Sequence, residues 1–264
     1  MHYDHDWFLH KEPYIPHNPR KNGLQYLYDY NPTDAVEMLT SKEWIRAIFV
    51  RDPVERFLSA YLDKAKRKNG IYVYKHCCGG TTPNSGWCPG INVSESIDNF
   101  FKMVSTDCCC DPHWKSQSSR LGSEFESASN PSSSSSLWNY INFIGSFDTL
   151  GYDTKRLLDK LDENLRKNYE DSDRNRTMPL WDMYGASGWG KYRNVSIFDT
   201  TGTEAKHKTN SIHHYDMYFS ASASGKSNSS STNMEDLVKE FYRNDYDHPL
   251  FNFTKKIKMP MKRC

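Results

Sequence analysis

Two short apolar runs, each followed by apolar residues at helical spacing, dominate the hydrophobic pattern of the chain. The first run, Trp44–Val50 (WIRAIFV), is bulky, which is typical of a strand buried on both faces of a parallel sheet. The second, Tyr140–Phe147 (YINFIGSF), precedes a stretch in which leucines recur at helical spacing after Asp153. Strands that alternate with helices predict an α/β fold with a mostly parallel sheet.

The junction after the first run carries the signals of a helix start. Asp52 can cap the helix, Pro53 suits its first position, and Glu55 lies in the first turn, where the helix dipole favours an acid. Apolar residues then recur at helical spacing from Val54 to Ala65. The pattern predicts a strand, a tight turn and an amphipathic helix.

Polar low-complexity segments interrupt this pattern near 129–136 and 220–232. Their composition predicts solvated insertions in long loops rather than a site.

A final helical stretch (MEDLVKEFYRNDYDHPLF) is expected to turn Leu237, Phe241 and Tyr242 inward. A length of 264 residues favours one domain spanning the whole chain.

The charges nearly balance, with 34 Lys and Arg against 33 Asp and Glu. This balance argues against nucleic acid or an anionic membrane surface as the main partner, so any anion site must be local. Aromatic residues make up 14% of the chain, which indicates an ordered core despite a mean hydropathy of −0.82. The opening segment MHYDHDWFLHKEPY lacks the basic and apolar regions of a signal peptide.

The cysteines and glycosylation motifs favour a secretory lumen. Adjacent cysteines lack the two-residue gap of common zinc sites, so disulfides are favoured over a metal site, although six cysteines allow 15 pairings. Six of the seven cysteines form two groups: Cys77, Cys78 and Cys88, then Cys108, Cys109 and Cys110. Asn-x-Ser/Thr motifs begin at Asn92, Asn175, Asn194, Asn228 and Asn252.

Arg51 is a candidate phosphate ligand because it follows the first predicted strand. Ligands of open α/β sheets bind at the carboxyl ends of strands, and a guanidinium can grip two phosphate oxygens. Ser59 would lie roughly 9 Å further along the helix, within reach of a long arginine side chain. The alternative is that Arg51 forms a structural ion pair with Asp52 or Glu55, and that Ser59 is only a tolerated helix residue.

The segment FVRDPVERFLSAYLDK resembles the 3′-phosphate-binding element of the Golgi carbohydrate sulfotransferases, in the group that includes the chondroitin and dermatan 4-O-sulfotransferases. Four further segments resemble elements of that family and occur in its order: DPHWKSQSSR, YINFIGSFDTL, KHKTNS and LVKEFYRNDYDHPLF. The resemblance spans roughly Trp44 to Phe251.

The resemblance implies a P-loop-like α/β fold that binds 3′-phosphoadenosine 5′-phosphosulfate (PAPS). It implies transfer of a sulfuryl group to a carbohydrate hydroxyl without a metal. Carried over by position, Arg51 and Ser59 would hold the 3′-phosphate, and Lys208 and Thr209 would belong to a segment that closes over the nucleotide. His113 is the candidate base, since a neutral imidazole has a suitable pKa. The alternative is that His113 only hydrogen-bonds a backbone group or the acceptor sugar.

One element of the family is not found in the sequence. The loop that cradles the 5′-phosphosulfate should precede Arg51, yet the first Ser or Thr is Thr33 and no glycine-rich turn occurs there. We therefore expect a chain that begins past a membrane anchor, a first strand and this loop, and that belongs to the Golgi lumen. The alternative is a catalytically silent, disulfide-braced secreted module of the same fold that binds nucleotide or glycan.

Overall fold

A computed structural model describes residues 25–87, 90–106, 109, 111–122, 136–168, 215, 217–219, 233–251 and 253. The chain divides into two compact units, Met1–Arg46 and Ala47–Cys264. In the first unit, helix α1 spans Pro32–Thr40 and is capped by Asn31. The elements of the second unit are β1 (Ala47–Val50), α2 (Pro53–Ala60), α3 (Ile71–Cys78), α4 (Ile97–Val104), β2 (Phe143–Ser146), α5 (Leu150–Asn168), α6 (Met234–Phe241) and α7 (Arg243–Tyr246).

Strands β1 and β2 pair in parallel, in register from Ala47 opposite Phe143 to Val50 opposite Ser146. Helix α5 packs against β2, and this combination of helices with a small parallel sheet confirms the predicted α/β class. Both predicted strands exist, but each is four residues long. The expectation that the first strand is buried on both faces is wrong, because only Val50 is buried. Residues 48–50 instead line an open pocket, which leaves Phe49 half-buried.

The predicted start of α2 is confirmed. One carboxylate oxygen of Asp52 accepts hydrogen bonds from the backbone N–H groups of Val54 and Glu55, both at 3.0 Å. These bonds satisfy two donors that a helix start leaves open. The apolar side of α2 continues into a π-helical turn at Tyr61–Lys66. The predicted apolar positions are all nearly inaccessible to solvent: Val54, Phe57, Leu58, Tyr61 and Ala65.

Aromatic side chains form the centre of the core. Phe57 of α2 packs on Phe100 of α4 with ring centroids 5.1 Å apart, and Phe100 meets the edge of Trp114 at 5.6 Å. Tyr242 is fully buried as predicted, but Phe241 is 40% exposed. The buried face of helix α6 is set by Val238, with Tyr242 four residues further on, and Phe241 lies beside this face. The inward position predicted for Phe241 is therefore wrong.

The two predicted insertions lie almost entirely outside the described residues. Ser136, the last residue of the first insertion, is an exception and is buried. Its hydroxyl accepts a hydrogen bond from the backbone N–H of Trp138 at 3.3 Å. This residue therefore belongs to the fold and not to a solvated insertion. Within the described part of the chain, no helix is both long enough and apolar enough to cross a bilayer.

A disulfide joins Cys77, near the end of α3, to Cys109 in the loop after α4. Both cysteines are buried. This bond agrees with the preference for disulfides over a metal site, while disulfides among the other cysteines stay a prediction. Among the described residues, no group of His, Cys, Asp and Glu is arranged to hold a metal ion.

Replacing both Cys77 and Cys109 by serine should lower the free energy of unfolding by about 3–4 kcal/mol. The two residues are 32 positions apart in sequence, and opening a loop of that length restores this much chain entropy to the unfolded state. Urea unfolding followed by fluorescence measures the change. An unfolding midpoint equal to that of the unmodified protein would contradict the estimate.

Candidate functional site

A pocket of about 350 Å³ lies at the carboxyl ends of β1 and β2. Arg51 and Phe147, which directly follow the two strands, both line this pocket. Parallel strands end at the same edge of a sheet, and that edge is where open α/β sheets bind ligands. The position alone makes this pocket the candidate site.

Three predicted site residues meet at this pocket. Arg51, Ser59 and His113 all line it, although they come from the end of β1, from α2 and from the loop after α4. Lys208 and Thr209 lie outside the described residues. The roles assigned to these five residues stay predictions.

The lining of the pocket carries an excess of positive charge. Besides Arg51, the cationic side chains of Arg56, Lys64 and Arg120 line it, and Asp63 is the single acid in the described lining. Nζ of Lys64 lies 2.8 Å from Oδ2 of Asp63, so one positive charge is neutralised locally. The three guanidinium groups that remain would attract a multiply charged anion.

Arg51 also lies near Glu55, as expected if Arg51 forms a structural ion pair. Its Nε lies 3.8 Å from Oε2 of Glu55, one helical turn further on. This distance is near the outer limit of an ion pair, and the contact uses neither terminal nitrogen of the guanidinium. Since arginine carries five N–H donors, contact with Glu55 is compatible with binding of a phosphate.

Arg56 is an incompletely paired cation in the lining. Its Nη2 donates to the carbonyl oxygen of Pro112 at 2.7 Å, and Arg120 donates to the same oxygen. Nη1 of Arg56 is buried and has no hydrogen-bond partner within the described structure. Burial lowers the pKa of the Arg56 guanidinium, as do the charges of Arg120 and Arg51, against an opposing effect of Tyr242. A bound anion would reduce the repulsion of Arg56 by Arg120 and Arg51.

The side chain of Gln117 holds the backbone of Arg51 in place through two hydrogen bonds. Its side-chain amide accepts from the Arg51 N–H at 3.0 Å and donates to the Arg51 carbonyl at 2.7 Å, as a neighbouring strand would. Gln117 is in turn held by Asp245 of α7, which accepts from the backbone N–H groups of Gln117 at 2.9 Å and Ser118 at 2.8 Å. Asp245 is fully buried. The position of Arg51 therefore depends on residues far along the chain.

His113 is held by Asp111 at the rim of the pocket. Nδ1 of His113 lies 2.6 Å from Oδ1 of Asp111, and the hydroxyl of Tyr72 donates to the other carboxylate oxygen at 3.0 Å. Burial acts to raise the pKa of Asp111, but hydrogen bonds from His113 and Tyr72 outweigh it and hold the pKa below its usual value. The ionised carboxylate therefore adds stability above its unfolded-state pKa, which is lost as the pH falls through the lower folded-state value.

A family model described as "Sulfotransferase family" matches residues 7–217. This chain belongs to the sulfotransferase family. The sulfotransferase match includes the βα junction, His113, Lys208 and Thr209, and it ends before α6. Neither the curated proteins nor the solved structures contain a significant match. Family membership indicates a sulfotransferase that catalyses sulfuryl transfer, while the Golgi carbohydrate subgroup stays a prediction.

The sequence analysis did not single out several residues that line the candidate site. Arg56 carried a usable signal, because Arg56, Ser59 and Asp63 recur at helical spacing opposite the apolar side of α2. Gln117 and Arg120 lie inside DPHWKSQSSR, but nothing local indicates that Gln117 hydrogen-bonds Arg51 or that Arg120 lines the same pocket. The sulfate-cradling loop was expected before Arg51, and residues 1–24 of that region lie outside the described structure. The absence of this loop therefore stays a prediction.

Proposed function

We propose that the protein is a carbohydrate O-sulfotransferase that uses PAPS as its donor. The observation that carries this proposal is the cationic pocket at the carboxyl end of β1, in a chain of the sulfotransferase family. A sulfotransferase needs a site for a highly anionic donor beside a group that can activate a hydroxyl. Arg51 and His113 line the same pocket. Arg51 would bind the anionic donor, and His113 would activate the hydroxyl.

The lining fits a donor that carries several negative charges. PAPS has a 3′-phosphate and a 5′-phosphosulfate, and it supplies the sulfuryl group. Arg51 and Ser59 would hold the 3′-phosphate, and Lys208 and Thr209 are proposed to close over the nucleotide. Within the described part of the chain, Nη1 of Arg56 is buried without a hydrogen-bond partner, and it would offer a further donor for an anionic oxygen. No metal is needed for this chemistry, because positioning and positive charge meet its demands.

His113 would act as the general base. As a bond forms between the acceptor oxygen and sulfur, the bond from sulfur to the bridging oxygen of the donor breaks. The proton of the acceptor hydroxyl passes to the imidazole, and the leaving nucleotide keeps the bridging electron pair. A guanidinium in the lining would stabilise the charge that develops on that oxygen.

The proposed setting is the Golgi lumen, with a glycan as the acceptor. A disulfide between buried cysteines and the Asn-x-Ser/Thr motifs support an oxidising secretory compartment. Asn92, which begins one of these motifs, is exposed and could accept a glycan.

Thermal unfolding in the presence of adenosine 3′,5′-bisphosphate tests the donor site. This nucleotide should raise the melting temperature of the protein, and Arg51→Ala should weaken its binding roughly 10- to 150-fold through loss of about 1.5–3 kcal/mol of charged hydrogen bonding. The matched control is Arg166→Ala, which removes an exposed arginine of α5 that is not part of the pocket lining.

The control variant should keep the full ligand-induced shift. Equal shifts in the Arg51 and Arg166 variants would remove Arg51 from the site. Incubation with PAPS carrying radiolabelled sulfate and a panel of glycans then tests transfer. Nucleotide binding without labelled glycan would contradict the proposed enzyme.

A further inference from the structure

The carboxylate of Asp111 lies at the centre of a hydrogen-bond cluster beside the pocket. It is 7% exposed and accepts from the His113 backbone N–H at 2.8 Å, in addition to its contacts with the His113 ring and the Tyr72 hydroxyl. Tyr72 belongs to α3, and Asp111 and His113 belong to the loop after α4. The Cys77–Cys109 disulfide ties these two segments together next to the cluster.

The donors and acceptors of this cluster determine where His113 carries its proton. An ionised Asp111 can only accept hydrogen bonds. The hydroxyl of Tyr72 has one proton, which it donates to Oδ2 of Asp111, so it cannot also donate to the His113 ring 3.1 Å away. Nδ1 of His113 faces the other carboxylate oxygen at 2.6 Å and must therefore be the protonated nitrogen. In neutral His113 the lone pair is then on Nε2.

We propose that Asp111 is a positioning residue, which fixes His113 as the Nδ1–H tautomer so that Nε2 can accept the proton of the acceptor hydroxyl. This inference rests on the proposed function, in which His113 is the base. When the hydroxyl proton passes to Nε2, the ring becomes positively charged. The adjacent Asp111 carboxylate stabilises that charge, and Tyr72 prevents the carboxylate from rotating away.

The arrangement around Asp111 is built to hold the carboxylate still. The backbone N–H groups of Trp114 and Lys115 donate to the Asp111 carbonyl at 3.2 and 2.8 Å. The Trp114 indole is buried and donates to the carbonyl of Cys109 at 3.1 Å. A rigid support of this kind keeps the imidazole oriented before the substrate arrives.

The first test is a nitrogen NMR measurement of the His113 ring in the unmodified protein at a pH where the ring is neutral. The expected signature is a protonated Nδ1 and an unprotonated Nε2, assigned by comparison with His113→Gln. This readout does not depend on donor, acceptor or activity, so it separates the present inference from the proposed function. A ring protonated at Nε2 would overturn the inference even if the protein proves to be a sulfotransferase.

The second test is Asp111→Asn, with Asp159→Asn on the exposed side of α5 as the matched control. Sulfuryl transfer by the Asp111 variant should fall about 100-fold in kcat, whereas its KM for PAPS and its affinity for adenosine 3′,5′-bisphosphate should change less than threefold. Asp159 pairs with Lys155 at 2.6 Å outside the pocket, so its variant should keep full activity. Tyr72→Phe should cause a smaller loss, because it removes one hydrogen bond and keeps the ring.

Two outcomes of the second test would overturn the inference. One is a kcat for Asp111→Asn equal to that of the control. The other is a parallel loss of kcat, nucleotide affinity and folding stability, which would assign Asp111 a purely structural role.

Discussion

Replacing His113 by alanine should lower kcat about 100- to 10 000-fold and leave nucleotide affinity nearly unchanged. General base catalysis contributes acceleration of this size. The His113 imidazole lines the pocket and is the proposed base. The side chain is 42% exposed, so its removal leaves no large cavity in the core. Initial rates with PAPS and an active acceptor, together with binding of adenosine 3′,5′-bisphosphate, measure the two quantities separately.

His76→Ala is the matched control for the His113 variant. Nδ1 of His76 lies 3.8 Å from Oδ2 of Asp111, so it is a second histidine near the same carboxylate, but it does not line the pocket. We expect its kcat to stay within about threefold of the unmodified enzyme. A His113 variant that retains full kcat would favour the alternative, in which His113 only hydrogen-bonds a backbone group or the acceptor sugar.

Asp245→Ala should reduce the free energy of unfolding by about 3–5 kcal/mol. The carboxylate is 0% exposed and accepts hydrogen bonds from the Gln117 and Ser118 backbone and from the Ser116 hydroxyl. Its loss leaves the backbone N–H groups of Gln117 and Ser118 buried without an acceptor, and each unpaired donor costs about 1–3 kcal/mol before relaxation or entry of water. Urea unfolding measures the loss.

The control for this variant is Asp247→Ala, two residues further along the chain. Asp247 is exposed, and we expect a change within about 0.5 kcal/mol. Because Gln117 holds the backbone of Arg51, the Asp245 variant should also bind adenosine 3′,5′-bisphosphate more weakly under conditions where it is still folded. Equal stability of the Asp245 and Asp247 variants would contradict this account of the buried carboxylate.

Contacts from Asp245 through Gln117 to Arg51 join three segments that are far apart in the sequence. Gln117 belongs to DPHWKSQSSR, Asp245 to the closing segment LVKEFYRNDYDHPLF, and Arg51 to the βα junction. Tyr242 adds a second connection, since its buried hydroxyl donates to the carbonyl of Trp114. The resemblance singled out these segments by their order, and the structure shows a physical reason for their association.

The sequence by itself determined the elements whose causes are local. The Asp52 cap, Pro53 and the apolar side of α2 depend on residues within a few positions of one another, so their patterns predicted the helix correctly. The same holds for the existence of the two strands. Even here, the burial of β1 was misjudged, because an apolar run does not reveal that one side of the strand faces an open pocket.

Only the tertiary structure decided how the site is assembled. Gln117 meets Arg51 across 66 positions, and Asp245 meets Gln117 across 128. The proton position of His113 depends on Tyr72, which lies 41 positions away. Hydrogen bonds between groups so far apart leave no periodic trace in the sequence, because neither local propensity nor hydrophobic spacing depends on them. The sequence therefore identified Arg51, Ser59 and His113 as candidates, and folding brought them to one pocket with the cations and carboxylates that surround them.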